Sequence, residues 1–367
     1  MITDRKINVL VVDDSTVARM HLVHLLESDP QINVIGTVND GEAALLFLKE
    51  TRPDVVLMDI HMPGLDGFET TRRIMETQPL PIVICSATTN AREIAITFRA
   101  LEAGAVACVA KPVGRDHADH EATAAELLQA VKLMSEVRVV RRWARAPQRP
   151  QSAQPFPPPA LPVVEVPPAS GEVVIIGIGT STGGPPVLQT ILAGLPKNFP
   201  VPILIVQHIA TGFLSGLAEW LNQTTGFQVH IGAYGVVPLP GHVYLAPDGF
   251  HLGLGAGGRI LLTKEEPENG LRPAVSYLFR SLAGVCGPAA VGVLLTGMGK
   301  DGAAELKLMR DRGAITIAQD SESSVVHGMP GEAIALGGAT HVLPADRIAG
   351  ALLNLVTRRN GYKGNPS

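Results

Sequence analysis

From Pro147 to Pro168 the chain reads PQRPQSAQPFPPPALPVVEVPP, nine prolines in 22 residues. Proline has no backbone N–H to donate and holds φ at about −65°. Such a run builds neither a helix interior nor a central strand, and it favours extended polyproline II. We expect a semi-rigid, exposed linker over 147–168, with a proline-motif docking segment as the functional alternative. The linker divides the 367 residues into 1–146 and 169–367. Each part is long enough to bury its own core, so two domains are expected.

Composition removes several function classes. The chain is 46% apolar and 17% charged, a globular balance. Thirty basic against 34 acidic residues give a net charge of −4, which leaves no electrostatic footprint for a nucleic-acid partner. No helix-turn-helix or basic domain follows the linker. Cys85, Cys108 and Cys286 are far apart and show no CxxC spacing, so neither a disulfide framework nor a zinc site is expected. The apolar N-terminal stretch is broken by Asn8 and stopped by Asp13 and Asp14, unlike a signal peptide. No apolar run reaches the ~18 residues of a spanning helix. A cytoplasmic protein without membrane insertion is the expectation.

Both halves alternate short β-branched runs with helical patterns, and no internal repeat connects them. That pattern predicts an α/β fold in each: two doubly wound, mostly parallel sheets covered by helices. In the first half the strands expected are Ile7–Val12, Ile32–Val38, Val55–Asp59, Ile82–Ser86 and Val106–Ala110. Ser15 and Asp40 are placed to cap the helices that follow the first two. A further helix is expected from about Ala118 to Trp143. It ends in Arg138, Arg141, Arg142 and Arg145, which are either a solvated helix end suited to the dipole or a docking patch for an acidic partner.

Polar residues collect at the carboxyl ends of those strands, where doubly wound sheets place ligands. Asp13 and Asp14 follow the first strand, Asp59 ends the third, Ser86 the fourth, and Lys111 follows the fifth. Clustered carboxylates repel unless a hard cation joins them, and Mg²⁺ takes such oxygen ligands. A carboxylate beside that ion can accept a phosphoryl group, with a lysine and a hydroxyl holding its oxygens. The segments VVDDS, VVLMDIHMPGLDG, VICSA and VAKP resemble the receiver domain of two-component response regulators over about residues 5–130. The resemblance implies a flavodoxin-like fold and phosphorylation of Asp59. It implies Mg²⁺ held by Asp13, Asp14, Asp59 and the His61 carbonyl, with Ser86 and Lys111 on the phosphoryl group. Cys108 stands where many receivers carry an aromatic switch residue.

The second half opens with VVIIGIGTSTGGPPVLQTILAGL: strand, glycine turn, helix. Gly179 to Gly183 fit G-x-S-x-G, the spacing that exposes a serine on a strand-to-helix turn. A purely structural turn and a dinucleotide-binding loop are the alternatives. Against the latter, Thr182 occupies the third glycine position and the next strand ends in Gln207-His208 rather than an acid. Asp301 follows another apolar run in a glycine-rich loop, where a helix cap is the plain alternative. Ser181, His208 and Asp301 together offer a nucleophile, a base and an orienting carboxylate at three strand ends. Their chain order is Ser, His, Asp, which differs from the α/β-hydrolase order.

GTSTGGP, VQH, LPGHVYLAP and LTGMGKDGAAELKLMR resemble the catalytic domain of the chemotaxis protein-glutamate methylesterases, over about residues 172–355. That family joins receiver, linker and catalytic domain in this order. The resemblance implies a Rossmann-like domain with Ser181 as nucleophile, His208 as general base and Asp301 as its partner. It implies Met298 and Thr182 backbone N–H groups at the oxyanion, and no cofactor for ester hydrolysis. The substrates implied are γ-methyl glutamyl esters of methyl-accepting chemoreceptors, with deamidation of receptor glutamines in many relatives. A chemotaxis histidine kinase is the implied phosphodonor. Ile209-Ala210 replaces the Met-Pro of many relatives, and Leu271 and Ala274 replace a frequent histidine and serine. These departures bear on receptor preference rather than on the triad. A nucleotide-dependent oxidoreductase and a catalytically dead, phosphorylation-controlled binding module are the rival functions. Met298, Met309 and Met329 are read as core residues, the first beside the catalytic loop.

Overall fold

The computed structural model describes residues 5–86, 98–112, 114, 120–137 and 172–360. The linker at 147–168 and the arginines from 138 to 145 lie outside the described residues. The chain falls into two compact units, one N-terminal and one C-terminal.

In the N-terminal unit, β1 (Ile7–Val12), β2 (Ile32–Val38), β3 (Val55–Met58), β4 (Ile82–Ser86) and β5 (Ala107–Ala110) form one parallel sheet in the order β2-β1-β3-β4-β5. This is a common doubly wound order, whose ligand crevice opens where the order reverses, beside β1 and β3. Helices α1 (Thr16–Glu27), α2 (Gly41–Glu50), α3 (Gly67–Thr77) and α4 (His120–Ser135) accompany it. Ser15 and Asp40 cap α1 and α2 through their side chains, accepting from Ala18 N–H and Ala43 N–H. Every residue of β3 and β4 is buried, which explains their unbroken apolar runs. β3 stops one residue short of the expected span, leaving Asp59 just beyond its carboxyl end.

The C-terminal unit holds a seven-stranded parallel sheet. Its strands are β6 (Ile175–Thr180), β7 (Ile203–Gln207), β8 (Gln228–Ile231), β9 (His242–Leu245), β12 (Ala290–Leu294), β13 (Ile315–Gln319) and β14 (His341–Leu343). A two-stranded hairpin, β10 (His251–Leu254) and β11 (Ile260–Thr263), stands apart from it. The helices are α5 (Gly184–Ala193), α6 (Leu214–Thr225), α7 (Val275–Val285), α8 (Ala303–Asp311), α9 (Met329–Ala335) and α10 (Ala345–Asn360). The order β14-β13-β12-β6-β7-β9-β8 grows outward from β6 on one side, then resumes at β12 on the other. The reversal therefore lies between β6 and β12, and β6 is flanked by β12 on one side and β7 on the other. Helix α7 buries Val275, Leu278, Phe279 and Leu282 in the same core cluster as Leu294 and Met309. Fully burying a side chain of this size contributes about 1.5–3 kcal/mol, so α7 is firmly anchored. Met309 and Met329 are core residues as expected, whereas Met298 is 38% exposed. No helix among the described residues is long and apolar enough to cross a membrane.

Candidate active site

Ser181 is the first residue past β6. The pairings Gly179 with Leu294 and Thr180 with Gln207 bring the ends of β12 and β7 to either side of it. The turn into α5 runs through Gly183 at φ 76°, a backbone region L-residues rarely occupy. A Cβ there would lie 2.5 Å from Val325 Cβ, so this position requires glycine. Helix α5 has a proline in its first turn and no side-chain cap, which leaves its positive N-terminal end at the serine turn. Gly297 presses on the serine from the loop after β12: a Cβ there would come within 2.7 Å of Ser181 Cβ.

Buried amides and hydroxyls fix this turn. Ser181 N–H donates to Thr296 O at 3.0 Å. Thr296 Oγ1 donates to Thr182 O at 2.9 Å, and Thr296 N–H donates to Gln319 Oε1 at 2.8 Å. Gln207 Nε2 donates to Ser181 O at 2.8 Å and to His208 O at 2.7 Å, tying two candidate catalytic residues through one side chain. Thr182 and Met298 lie on the loops that follow β6 and β12, with Met298 directly after the glycine that touches Ser181. The sequence alone assigns no role to Gln207, Thr296 or Gln319, although Gln207 adjoins His208.

His208 Nε2 lies 3.0 Å from Asp301 Oδ2, off the straight hydrogen-bond line. The Asp301 side chain is 2% exposed and His208 11%. Asp301 is not the cap of its own helix: α8 begins at Ala303, with Gly302 in the cap position and no side-chain cap. Its carboxylate serves α7 instead. Oδ2 accepts from Val275 N–H at 2.6 Å. Oδ1 accepts from Ser276 N–H at 3.1 Å and from Ser276 Oγ at 2.6 Å. Ala274, at the α7 cap position, provides no side-chain bond, so a residue 26 positions later in sequence does the capping. Burial pushes the Asp301 carboxyl up, but His208, Ser276 and Val275 outweigh it and hold it below the usual aspartate value. With donors on both oxygens, Asp301 is ionised and the His208 proton belongs on Nε2. Nδ1 is left as the ring's acceptor, the role a base for Ser181 requires.

In the N-terminal unit, carboxylate oxygens of Asp13, Asp14 and Asp59 lie within 4.8 Å of one another. Lys111 Nζ is 2.7 Å from Asp13 Oδ2 and 2.9 Å from Asp59 Oδ2. Asp59 Oδ1 accepts from Ile60 N–H at 2.8 Å. Burial raises the Asp59 carboxyl above its usual value, Asp13 adds to that, and Lys111 offsets only part of it. Burial pulls Lys111 down, but the two aspartates prevail and hold its ammonium above the ordinary lysine value. Ser86 is buried at the end of β4, and its carbonyl accepts from Lys111 N–H at 2.8 Å. His61 is exposed in the loop after β3. Cys108 is half-buried in β5, beside Ile84. Three carboxylates against one ammonium, two of the acids buried, form an all-oxygen donor set that fits a hard divalent cation.

Both halves of the chain have counterparts among known proteins. The CheB methylesterase family model matches residues 176–352, and the response regulator receiver domain model matches residues 9–123. A protein-glutamate methylesterase/protein-glutamine glutaminase of Nitrosospira multiformis is 56% identical, covering 97% of this chain and 99% of that protein. One from Geobacter metallireducens is 53% identical, covering 96% of this chain and 100% of its own length. The solved CheB methylesterase catalytic domain of Thermotoga maritima is 43% identical, covering 51% of this chain and 100% of that one, with a TM-score of 0.49. With identity above half sustained along nearly the whole chain, this protein belongs to the protein-glutamate methylesterase/protein-glutamine glutaminase family, carrying a response regulator receiver domain and a CheB methylesterase domain.

Proposed function

We propose that the chain is a phosphorylation-controlled serine esterase. It removes γ-methyl groups from glutamyl esters of methyl-accepting chemoreceptors, releasing methanol, and deamidates receptor glutamines. The observation that supports this reading is that Ser181 and His208 directly follow the paired ends of β6 and β7, with His208 Nε2 3.0 Å from the buried carboxylate of Asp301.

In this mechanism Ser181 Oγ attacks the ester carbonyl carbon while His208 Nδ1 takes its proton. Charge builds on the carbonyl oxygen, which the backbone N–H groups of Thr182 and Met298 stabilise. The C–O bond to the methoxy group then breaks, and His208 returns the proton so that methanol leaves. Water adds to the acyl-serine with His208 again as base, the bond to Ser181 Oγ breaks, and free glutamate is released. On a glutamine the same steps expel ammonia. Asp301 stays ionised throughout and stabilises the imidazolium. The chemistry draws on no metal or organic cofactor.

The N-terminal domain, about residues 1–146 and separated from the catalytic domain at 169–367 by the 147–168 linker, supplies control. Asp59 accepts a phosphoryl group from a chemotaxis histidine kinase. Asp13, Asp14, Asp59 and the His61 carbonyl would hold Mg²⁺, which neutralises charge between the carboxylate and the incoming phosphate. Lys111 and Ser86 bind the phosphoryl oxygens. Phosphorylation shifts the receiver's population and raises the hydrolytic rate. The enzyme works in the cytoplasm, on the receptors' cytoplasmic helices.

Methanol release from methylated receptor membranes, measured with and without a small phosphodonor, tests this reading. Stimulated release by the full chain, lost with Ser181→Ala, supports it. Release by a folded Ser181→Ala chain sinks it.

A further inference from the structure

Asp301 is held from behind by a network that the triad chemistry does not by itself require. Ser276 Oγ accepts from Gly302 N–H at 3.0 Å. A backbone N–H can only donate, so the single hydroxyl proton of Ser276 is committed to Asp301 Oδ1, 2.6 Å away. Ser276 also donates its own N–H to the same oxygen at 3.1 Å. One residue, 3% exposed, thus grips both the carboxylate of residue 301 and the backbone just after it. Its helix, α7, is in turn buried in the core through Leu278, Phe279 and Leu282.

We infer that Ser276 is a positioning residue for ester hydrolysis: it fixes the orientation of Asp301, and through Asp301 the imidazole of His208. The inference rests on the reading of Ser181, His208 and Asp301 as the triad. Two effects follow from the geometry. Oδ1 saturated by Ser276 stops the carboxylate rotating, which leaves Oδ2 for His208. Hydrogen bonds to a carboxylate also lower its basicity, so Oδ1 contacts temper how strongly Asp301 holds a protonated imidazole. The polar groups that face the Asp301 carboxylate are His208 from the end of β7, Val275 and Ser276 from α7, and Asn269, whose Nδ2 is 3.5 Å from Oδ1.

Removing the hydroxyl therefore has a predicted sign. In Ser276→Ala, Asp301 becomes a stronger base and holds the His208 imidazolium more firmly. The acidic limb of the kcat/KM profile moves to higher pH, by about half to one unit, and kcat falls by about tenfold because Asp301 is less well held. KM is unaffected, since Ser276 is buried away from the substrate.

The test uses the full chain, phosphorylated by a small phosphodonor, acting on methylated receptor membranes. Ser276→Ala, Ser276→Thr, Asp301→Ala and the double variant Ser276→Ala/Asp301→Ala are compared with Ser181→Ala. The expected pattern is a shifted acidic limb and lowered kcat in Ser276→Ala, recovery in Ser276→Thr, which keeps the hydroxyl, and no further loss when Ser276→Ala is added to Asp301→Ala. An unshifted limb in a folded Ser276→Ala chain, or an equal loss from Ser276→Ala in the Asp301→Ala background, overturns the inference. In both cases Ser181→Ala is still inactive, so the triad reading survives. Turnover by Ser181→Ala overturns both.

Discussion

Replacing Asp301 by asparagine leaves the shape of the side chain unchanged and inverts its hydrogen bonding. Oδ2 faces Val275 N–H at 2.6 Å and His208 Nε2 at 3.0 Å, while Oδ1 faces Ser276 N–H and hydroxyl at 3.1 and 2.6 Å. An amide has one accepting oxygen and one donating NH₂. If the NH₂ takes the Oδ2 place, it opposes Val275 N–H and forces the His208 proton onto Nδ1, where it can no longer receive the Ser181 proton. If it takes the Oδ1 place, it opposes Ser276 N–H and frees the Ser276 hydroxyl. A buried donor left without an acceptor costs about 1–3 kcal/mol, which lowers the thermal midpoint of a unit this size by several degrees. The wrong tautomer costs far more in rate: the same exchange in other triads lowers kcat by about 10⁴, or about 5.5 kcal/mol of barrier. We expect Asp301→Asn to lose about 10³–10⁴ in single-turnover methanol release while its circular dichroism stays native. Turnover within about tenfold of the parent would show that Asp301 serves α7 as a cap and does not steer His208. Acid titration gives a second reading. The Asp301 carboxyl lies below its unfolded value of about 3.9. It therefore adds stability above that pH, and that stability is lost as pH falls through the depressed value. Asp301→Asn should lack this component.

Other outcomes are specific to one residue each. Ser181→Ala should lower receptor demethylation by several orders of magnitude without moving the thermal midpoint, checked by methanol release and melting. Asp59→Asn should abolish phosphodonor stimulation while leaving basal hydrolysis. Because burial raises the Asp59 carboxyl, its ionised form strains the fold above that raised pKa and costs nothing below its unfolded one. Asp59→Asn should accordingly raise the receiver's melting temperature at pH 7, with a gain that vanishes in acid. Mg²⁺ should stabilise the parent chain against heat by mass action, and Asp14→Ala should remove that effect. Deleting residues 1–146 should raise basal hydrolysis if the receiver restrains the esterase; an isolated catalytic domain no faster than the unphosphorylated chain would mean that phosphorylation activates it positively.

Features that depend on neighbouring residues in the chain were legible in the sequence. Ile7–Val12, Ile82–Ser86 and Ile32–Val38 form strands where apolar β-branched runs predict them, and Ser15 and Asp40 cap the helices they precede. Ser181 and His208 were legible because each directly follows a strand, β6 and β7, whose ends pair side by side in the parallel sheet. The role of Asp301 was harder to read, since its partners Val275 and Ser276 lie 26 and 25 positions away and carry no motif. Locally it looks like a cap for the helix that follows; only the packing of α7 over the sheet reveals the helix it actually serves. Ser276, Thr296 and Gln319 are ordinary polar residues in sequence and become significant only as buried donors and acceptors whose partners come from other strands and helices. The β10–β11 hairpin was equally invisible, because its four-residue strands lie outside the parallel pattern that organises the rest.

That Ser181 is the nucleophile of an esterase is open to a covalent test. A serine-directed acylating probe should react with the native full chain, and peptide mass mapping should place the adduct on Ser181. The adduct should disappear when the protein is denatured first, and should be strongly reduced in His208→Ala. Labelling that ignores Ser181, or that survives in Ser181→Ala at the native rate, would contradict the assignment of the β6–α5 turn as the catalytic centre.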